Sequence, residues 1–224
     1  GGTMADKAQR LGTLAQALAG LVGADAQTAH TVGTLSKADL STQMVGEFPK
    51  LQGHVGRLLA QLQGQDSEVC LGIEEHYLPR YAGDTLPTTA SGRAAALADR
   101  IDTLTGCFSL GLKPKGSADP LGLRRAANGL LVILRDAKVT TDLDALWERS
   151  SFDPPNGNGW ADLQSFVMAR LRAQLQEQFD TELVDAVLAT GDTNPVALEA
   201  RAEAMNTLSS SADFGPIKTT FKRV

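Results

Sequence analysis

Apolar residues recur every three or four positions along almost the whole chain, and nowhere do they alternate over a strand's length. That period is the signature of helices with one inward face, so the chain is predicted to be all-α. Met4, Ala8, Leu11, Leu14, Ala15, Leu18, Leu21 and Val22 draw the first stripe. Asp25 is placed to cap a second helix carrying Ala29, Val32, Leu35, Leu40, Met44 and Val45, which ends near Pro49. Leu51, Val55, Leu58, Leu59 and Leu62 mark a third, stopped at Gly64, and Val69, Cys70, Ile73 and Tyr77 a fourth, ended by Pro79. A Gly-, Pro- and Thr-rich loop over 80–92 precedes a fifth helix that buries Ala94, Leu97, Ile101, Leu104 and Phe108.

The stretch from Gly111 to Ala118 is the best boundary, dividing the chain into 1–112 and 113–224. Beyond it Asp119 is positioned to cap a helix with Pro120 at its first position, where the missing N–H costs nothing. Leu123, Ala127, Leu130, Leu131 and Leu134 follow on one face, then a short helix around Leu143, Leu146 and Trp147. A turn cluster at 151–159 leads to helices through Leu163–Leu175 and Leu183–Leu188, and Asn194-Pro195 opens a last one through Leu208. Glycines at 33, 46, 53, 56, 72 and 106 lower local helix propensity, and close helix approach is the expected reason for them. Gly1-Gly2-Thr3 and the helix-like start over 216–224 read as the cut ends of an internal fragment.

Composition removes several function classes. The longest apolar runs fall well short of the roughly 20 residues that span a bilayer, and no secretory leader is visible. Cys70 and Cys107 lie outside any metal or redox spacing and read as buried thiols in a reducing cytoplasm. A net charge of −5 and 5% aromatic residues argue against a surface devoted to nucleic acid, although a local basic patch is compatible with both. Fingerprints for a nucleophilic serine, a phosphate loop, a metalloprotease or a dinucleotide fold are missing.

Two groups of residues carry potential chemistry. Asp99 and Asp102 stand one turn apart on the fifth helix, where an acidic face, a salt bridge to Arg93 or a bond to a neighbouring helix end would account for them. Lys113 and Lys115 flank a proline-stiffened turn, and Arg124-Arg125 fall in the first turn of the next helix, whose free N–H groups favour an anion. These four cations could grip adjacent phosphates; the plainer reading has one arginine packed on the preceding domain and the rest solvated. Lys218, Lys222 and Arg223 form a weaker cluster. His54 reads as half-buried or on the surface, His76 as structural at a helix end, and His30 has no evident ligand beside it.

The run LADRIDTLTGCFSLGLKPKGSADPLGLRRAANGLLVIL (97–134), with KADLSTQMVGEFPKLQG (37–53) and EEHYLPR (74–80), resembles the β subunit of the bacterial tetrameric glycyl-tRNA synthetase. The later stretch QLQEQFDTELVDAVLATGDTNPVALEARAEAMNTL (174–208) resembles the family's region before its anticodon-binding domain. The resemblance implies an HD-like helical domain over 1–112 and a helical body over 113–224. It places Asp99 at the distant aspartate of an HD metal site and Lys37-Ala38-Asp39 near the His-Asp doublet, with Ala38 where the histidine is needed. Asp39 and Asp99 would then be vestiges of a site that holds no metal. The family also implies a division of labour, in which the α subunit uses ATP and Mg²⁺ to activate glycine while the β subunit binds tRNA(Gly) and supports assembly. This chain would then carry no catalytic residue or cofactor of its own, and its partners would be tRNA(Gly), the α subunit and the remaining β domains. The rival readings are an active metal-dependent HD nucleotide phosphohydrolase and a scaffold without RNA contact.

Overall fold

A computed structural model describes residues 2–114, 116, 118–155 and 159–211. Among them the chain forms α1 (Met4–Val22), α2 (Ala26–Leu35), α3 (Gln43–Glu47), α4 (His54–Leu62), α5 (Ser67–Glu75) and α6 (Ala90–Ser109). These are followed by α7 (Leu123–Asp136), α8 (Leu143–Trp147), α9 (Ala161–Gln176), α10 (Thr181–Leu188) and α11 (Pro195–Ser209). Single turns of 3-10 helix occupy Ala38–Ser41 and Pro49–Leu51. No strand occurs among the described residues, so the fold is all-α.

The caps explain several starts. Thr3 and Asp6 form a reciprocal capping box at α1, the Asp25 carboxylate accepts from Thr28 N–H at α2, and Asn194 accepts from Val196 and Ala197 N–H at α11. Helix α6 is the axis of the molecule. It buries residues on every side, including Arg100 and Asp102, and packs against α1, α2, α5, α7, α8 and α9. An alanine-rich sequence makes this arrangement feasible, because Ala94, Ala95, Ala96 and Ala98 let neighbours approach closely. The main apolar core gathers side chains from α1, α2 and α6 through α11, so it includes residues on both sides of position 112. A smaller core of Val32, Ala60, Val69, Cys70, Ile73 and Ala95 lies under α4 and α5.

Three expectations are corrected. The second helix does not run to Pro49. It ends at Leu35, where the Ser36 hydroxyl bonds the Gly33 carbonyl, and Thr42 then caps the separate α3. Leu40 and Met44, which continued the apolar register, are exposed. Helix α7 begins at Leu123 rather than Pro120, although Asp119 does cap it, accepting from the N–H groups of Leu123 (2.8 Å) and Arg124 (2.9 Å). On α4 only Val55, Gly56 and Ala60 are buried, while Leu58, Leu59 and Leu62 of the expected stripe face outward.

The glycines divide. A β-carbon at Gly33 would stand 2.5 Å from the Leu11 carbonyl oxygen, so α1 and α2 touch backbone to backbone there. A β-carbon at Gly56, Gly72 or Gly106 would instead crowd the side chains of Ile73, Val32 and Phe152 at 2.8–3.0 Å, whereas Gly46 faces open space.

Candidate functional site

A buried ammonium group organises the most polar part of the interior. Where α2 stops, Lys37 turns inward and is only 8% exposed. Its Nζ donates to Asp99 Oδ2 on α6 (2.9 Å) and lies 2.8 Å from Nε2 of His76, just beyond α5. It also sits 4.0 Å from the centre of the Tyr77 ring, a cation–π contact. His76 is fully buried, and its Nδ1 is 2.5 Å from the Ile73 carbonyl oxygen. A carbonyl only accepts, so Nδ1 carries the proton and Nε2 presents its lone pair to the ammonium.

Electrostatics follows from that packing. Burial, then the Lys37 ammonium, hold His76 well below the ordinary imidazole value, and the ring is neutral. Burial also lowers Lys37, with Asp99 opposing it. For Asp99 burial acts upward, but Lys37 and Lys7 together outweigh it and keep the carboxylate ionised. Lys7 donates to Asp99 Oδ1 (3.0 Å) and Asp102 Oδ2 (3.1 Å), and Arg10 Nε donates to Asp102 Oδ1 (2.7 Å). The two aspartates of α6 therefore pair with α1 and with Lys37. The expected partner, Arg93, instead faces Asp136.

Arg100 holds the opposite wall. Its guanidinium donates to the carbonyls of Ala96, His76, Leu78 and Pro79 at 2.7–3.2 Å, tying the segment after α5 onto α6. Burial pulls it down to about 10, still far above neutrality.

These residues do not fit a divalent cation. Asp39 is fully buried and its Oδ2 accepts from Gly53 N–H (2.6 Å) and Gly56 N–H (3.2 Å) at the start of α4. Asp99 lies between the ammonium groups of Lys37 and Lys7, and the Nε2 of His76 faces the first of these rather than an open position. Among the described residues no three His, Cys, Asp or Glu side chains converge as a metal would require. Lys37 puts a fixed positive charge between the imidazole and the carboxylate. His54, 43% exposed at its side chain, pairs with Glu74 instead.

Outside the cluster opens a cleft of about 630 Å³. His76, Tyr77 and Asp99 form part of its floor, and Lys50, Arg80 and Arg125 reach it from three separate segments. Asp99 is the single acid among its lining residues.

The basic residues singled out in the sequence do different things. Lys113 is ion-paired with Asp162 at the start of α9. The Arg124 guanidinium donates to the carbonyls of Gly116 and Ala118, stiffening the turn before α7. Arg125 is exposed, lies against Gly122 and lines the cleft. Lys115 and the cluster of Lys218, Lys222 and Arg223 lie outside the described residues. The anion received by the first N–H groups of α7 is the chain's own Asp119. Sequence reading missed Lys37, Lys50 and Arg80. A lysine next to the expected doublet was the one available signal for Lys37, and isolated cations gave none for the other two.

Fold and site together define an all-α protein with an internally neutralised polar cluster beneath a cationic cleft. Residues 1–189 match the model of the glycyl-tRNA synthetase beta subunit family, and the chain belongs to that family. It is 40% identical over 228 residues to a glycine–tRNA ligase beta subunit from Psychromonas ingrahamii, covering 100% of this chain and 33% of that protein. The corresponding subunit from Haemophilus influenzae is 43% identical over 210 residues, covering 92% and 30%. That from Desulforapulum autotrophicum is 42% identical over 232 residues, covering 100% and 34%. The chain thus spans about a third of the length of these relatives.

Proposed function

We propose that this chain serves as part of the β subunit of a glycine–tRNA ligase in the cytoplasm, positioning tRNA(Gly) and supporting assembly of the enzyme. Residues 1–112 would be its HD-like part and 113–224 the helical body. Aminoacylation itself falls to the α subunit with ATP and Mg²⁺. Family membership over residues 1–189 is the observation that carries this reading.

Its mechanism is electrostatic positioning. Phosphates held on lysine and arginine fix the orientation of the acceptor arm, which converts a diffusional encounter with the catalytic subunit into a local one. Of the candidates Lys113, Lys115, Arg124 and Arg125, three lie among the described residues, and of those three Arg125 is the one that lines the cleft, which makes it the principal contact among them. Assembly draws on a different face. Met44, Phe48, Leu58, Leu59 and Leu62 expose apolar surface on α3, α4 and the turn between them, suited to packing against the remaining β sequence.

Charge reversal tests the RNA contact. Arg125→Glu is expected to weaken binding of labelled tRNA(Gly) at least tenfold at low salt while leaving thermal unfolding unchanged. Unchanged affinity would remove Arg125 from the interface.

A further inference from the structure

On a chain of net charge −5, several basic side chains outside the cleft face a carboxylate. Arg57 faces Glu74, Arg93 faces Asp136, Lys113 faces Asp162, Arg135 faces Glu199, Arg172 faces Asp185 and Arg201 faces Asp192. The cleft instead gathers cations that have no such partner. Lys50, from the turn at Pro49–Leu51, Arg80, from the loop after α5, and Arg125, from the first turn of α7, are all exposed and line one depression. None of the three side chains has an ion pair or hydrogen bond among the described residues. Like charges gathered without counter-ions repel one another, so the arrangement is matched to an anion supplied from outside.

Shape and lining narrow the class of anion. A cleft of about 630 Å³ suits a ligand of nucleotide size rather than a lone phosphate. Pro49, Pro79 and Leu121 add apolar wall against which a base or ribose can rest. The floor presents no unpaired anion, because Asp99 is ion-paired with Lys37 and Lys7, His76 is a neutral ring and Arg100 adds a guanidinium held by backbone carbonyls.

We infer that the cleft takes one phosphorylated nucleotide unit of RNA, its phosphates on Lys50, Arg80 and Arg125 and its base against Pro49, Pro79 and Leu121, without hydrolysing it. This rests on the RNA-binding reading above and adds a place and a stoichiometry to it. The absence of hydrolysis follows from the floor. Lys37 blocks the position between His76 and Asp99, so no metal-held water can be brought to the phosphorus.

Adenosine 3′,5′-bisphosphate is the probe, since it carries a phosphate on either side of one nucleoside. Calorimetry at low salt is expected to show one site, with adenosine itself not binding. Lys50→Ala and Arg125→Ala are each expected to weaken the bisphosphate about tenfold, the scale of one lost charge-assisted contact. Both positions are exposed, and an unchanged melting temperature verifies the fold. The same substitutions should weaken tRNA, and excess bisphosphate should compete with it. Binding of tRNA without binding of the bisphosphate would overturn this inference and leave the tRNA reading standing. Bisphosphate affinity that neither substitution alters would also overturn it. Bisphosphate bound by a chain that fails to bind tRNA would refute both. Phosphate release on adding Mn²⁺ would contradict the non-hydrolytic floor.

Discussion

Nζ of Lys37 and Nε2 of His76 stand 2.8 Å apart, and this contact fixes the charge state of both. The imidazole can only accept there, since its other nitrogen donates to the Ile73 carbonyl, so the ammonium supplies the proton between them. The same ammonium bonds Asp99, which joins the end of α2, the segment after α5 and the middle of α6. Replacing Lys37 by Met keeps an unbranched apolar stem and removes the ammonium that makes that junction. It leaves Asp99 with Lys7 alone and His76 with an unpaired lone pair. The expected cost is about 3 kcal/mol, the scale for removing one partner of a buried pair. Urea unfolding followed by circular dichroism measures it, and an unchanged midpoint would refute the junction.

Stability should depend on pH through His76. Its folded value is held below its unfolded value of about 6.5, so the unfolded chain takes up the proton first. Unfolded molecules are therefore favoured as pH falls below about 6.5, by up to about 1.4 kcal/mol per unit, until the folded value is reached. Above about 6.5 this contribution is fully present. The groups facing the ring are Lys37, Asp99 and Arg100, and Asp99 stays ionised through this range. Unfolding midpoints between pH 7.5 and 5.5 should fall with acid in the native chain and stay nearly level in His76→Asn.

Glu75 is a second acid-sensitive clasp. Its two carboxylate oxygens accept from the hydroxyls of Thr88 (2.5 Å) and Thr89 (2.6 Å) and from both backbone N–H groups (3.1 and 2.9 Å). Burial acts upward on this carboxyl, but the four hydrogen bonds outweigh it and lower it. Its stabilisation is thus complete above about pH 4.3 and is lost as pH falls further. Glu75→Gln is expected to cost about 2 kcal/mol and to speed proteolysis within 80–88. Unaltered cleavage would show that the loop is held by other contacts.

Gly129 and Arg100 make a steric prediction. A β-carbon at 129 would stand 2.5 Å from the Arg100 Nε, forcing the guanidinium off the carbonyls of His76, Leu78 and Pro79. Gly129→Ala is expected to destabilise by about 1–3 kcal/mol despite the better helix propensity of alanine. Gly46→Ala, on α3 with nothing near its β-carbon, should instead stabilise by about 0.5–1 kcal/mol. Equal effects of the two would contradict the crowding at Arg100.

What was legible in the sequence was local. The stripes through Leu11–Leu18, Leu97–Phe108 and Leu163–Leu175 and the caps Asp25, Asp119 and Asn194 could be read off, because period and capping act within one or two turns. The break at 36–42 could not, since Leu40 and Met44 kept the apolar register although both face outward. Nor could the partners of Asp99 and Asp102, which come from α1 and from Lys37. Arg93 was nearer in sequence and lies on another side of α6, against Asp136. Basic residues that stand out along the chain are sequence neighbours, Lys113 with Lys115 and Arg124 with Arg125. Lys50, Arg80 and Arg125 come together only in the folded chain, and of the three the sequence groups only Arg125, with Arg124 rather than with the other two. Two of the quoted motifs, 37–53 and 74–80, nevertheless supply half of the cleft's lining residues, and the third, 97–134, supplies the other half.

The central claim is that this acidic chain contacts tRNA through phosphates. The direct test is an anisotropy titration of labelled tRNA(Gly), beside a non-cognate tRNA, at low and moderate salt. The account predicts binding that weakens steeply with salt, in proportion to the few phosphates neutralised. Failure to bind at low salt would contradict it and leave this part of the β subunit as a scaffold.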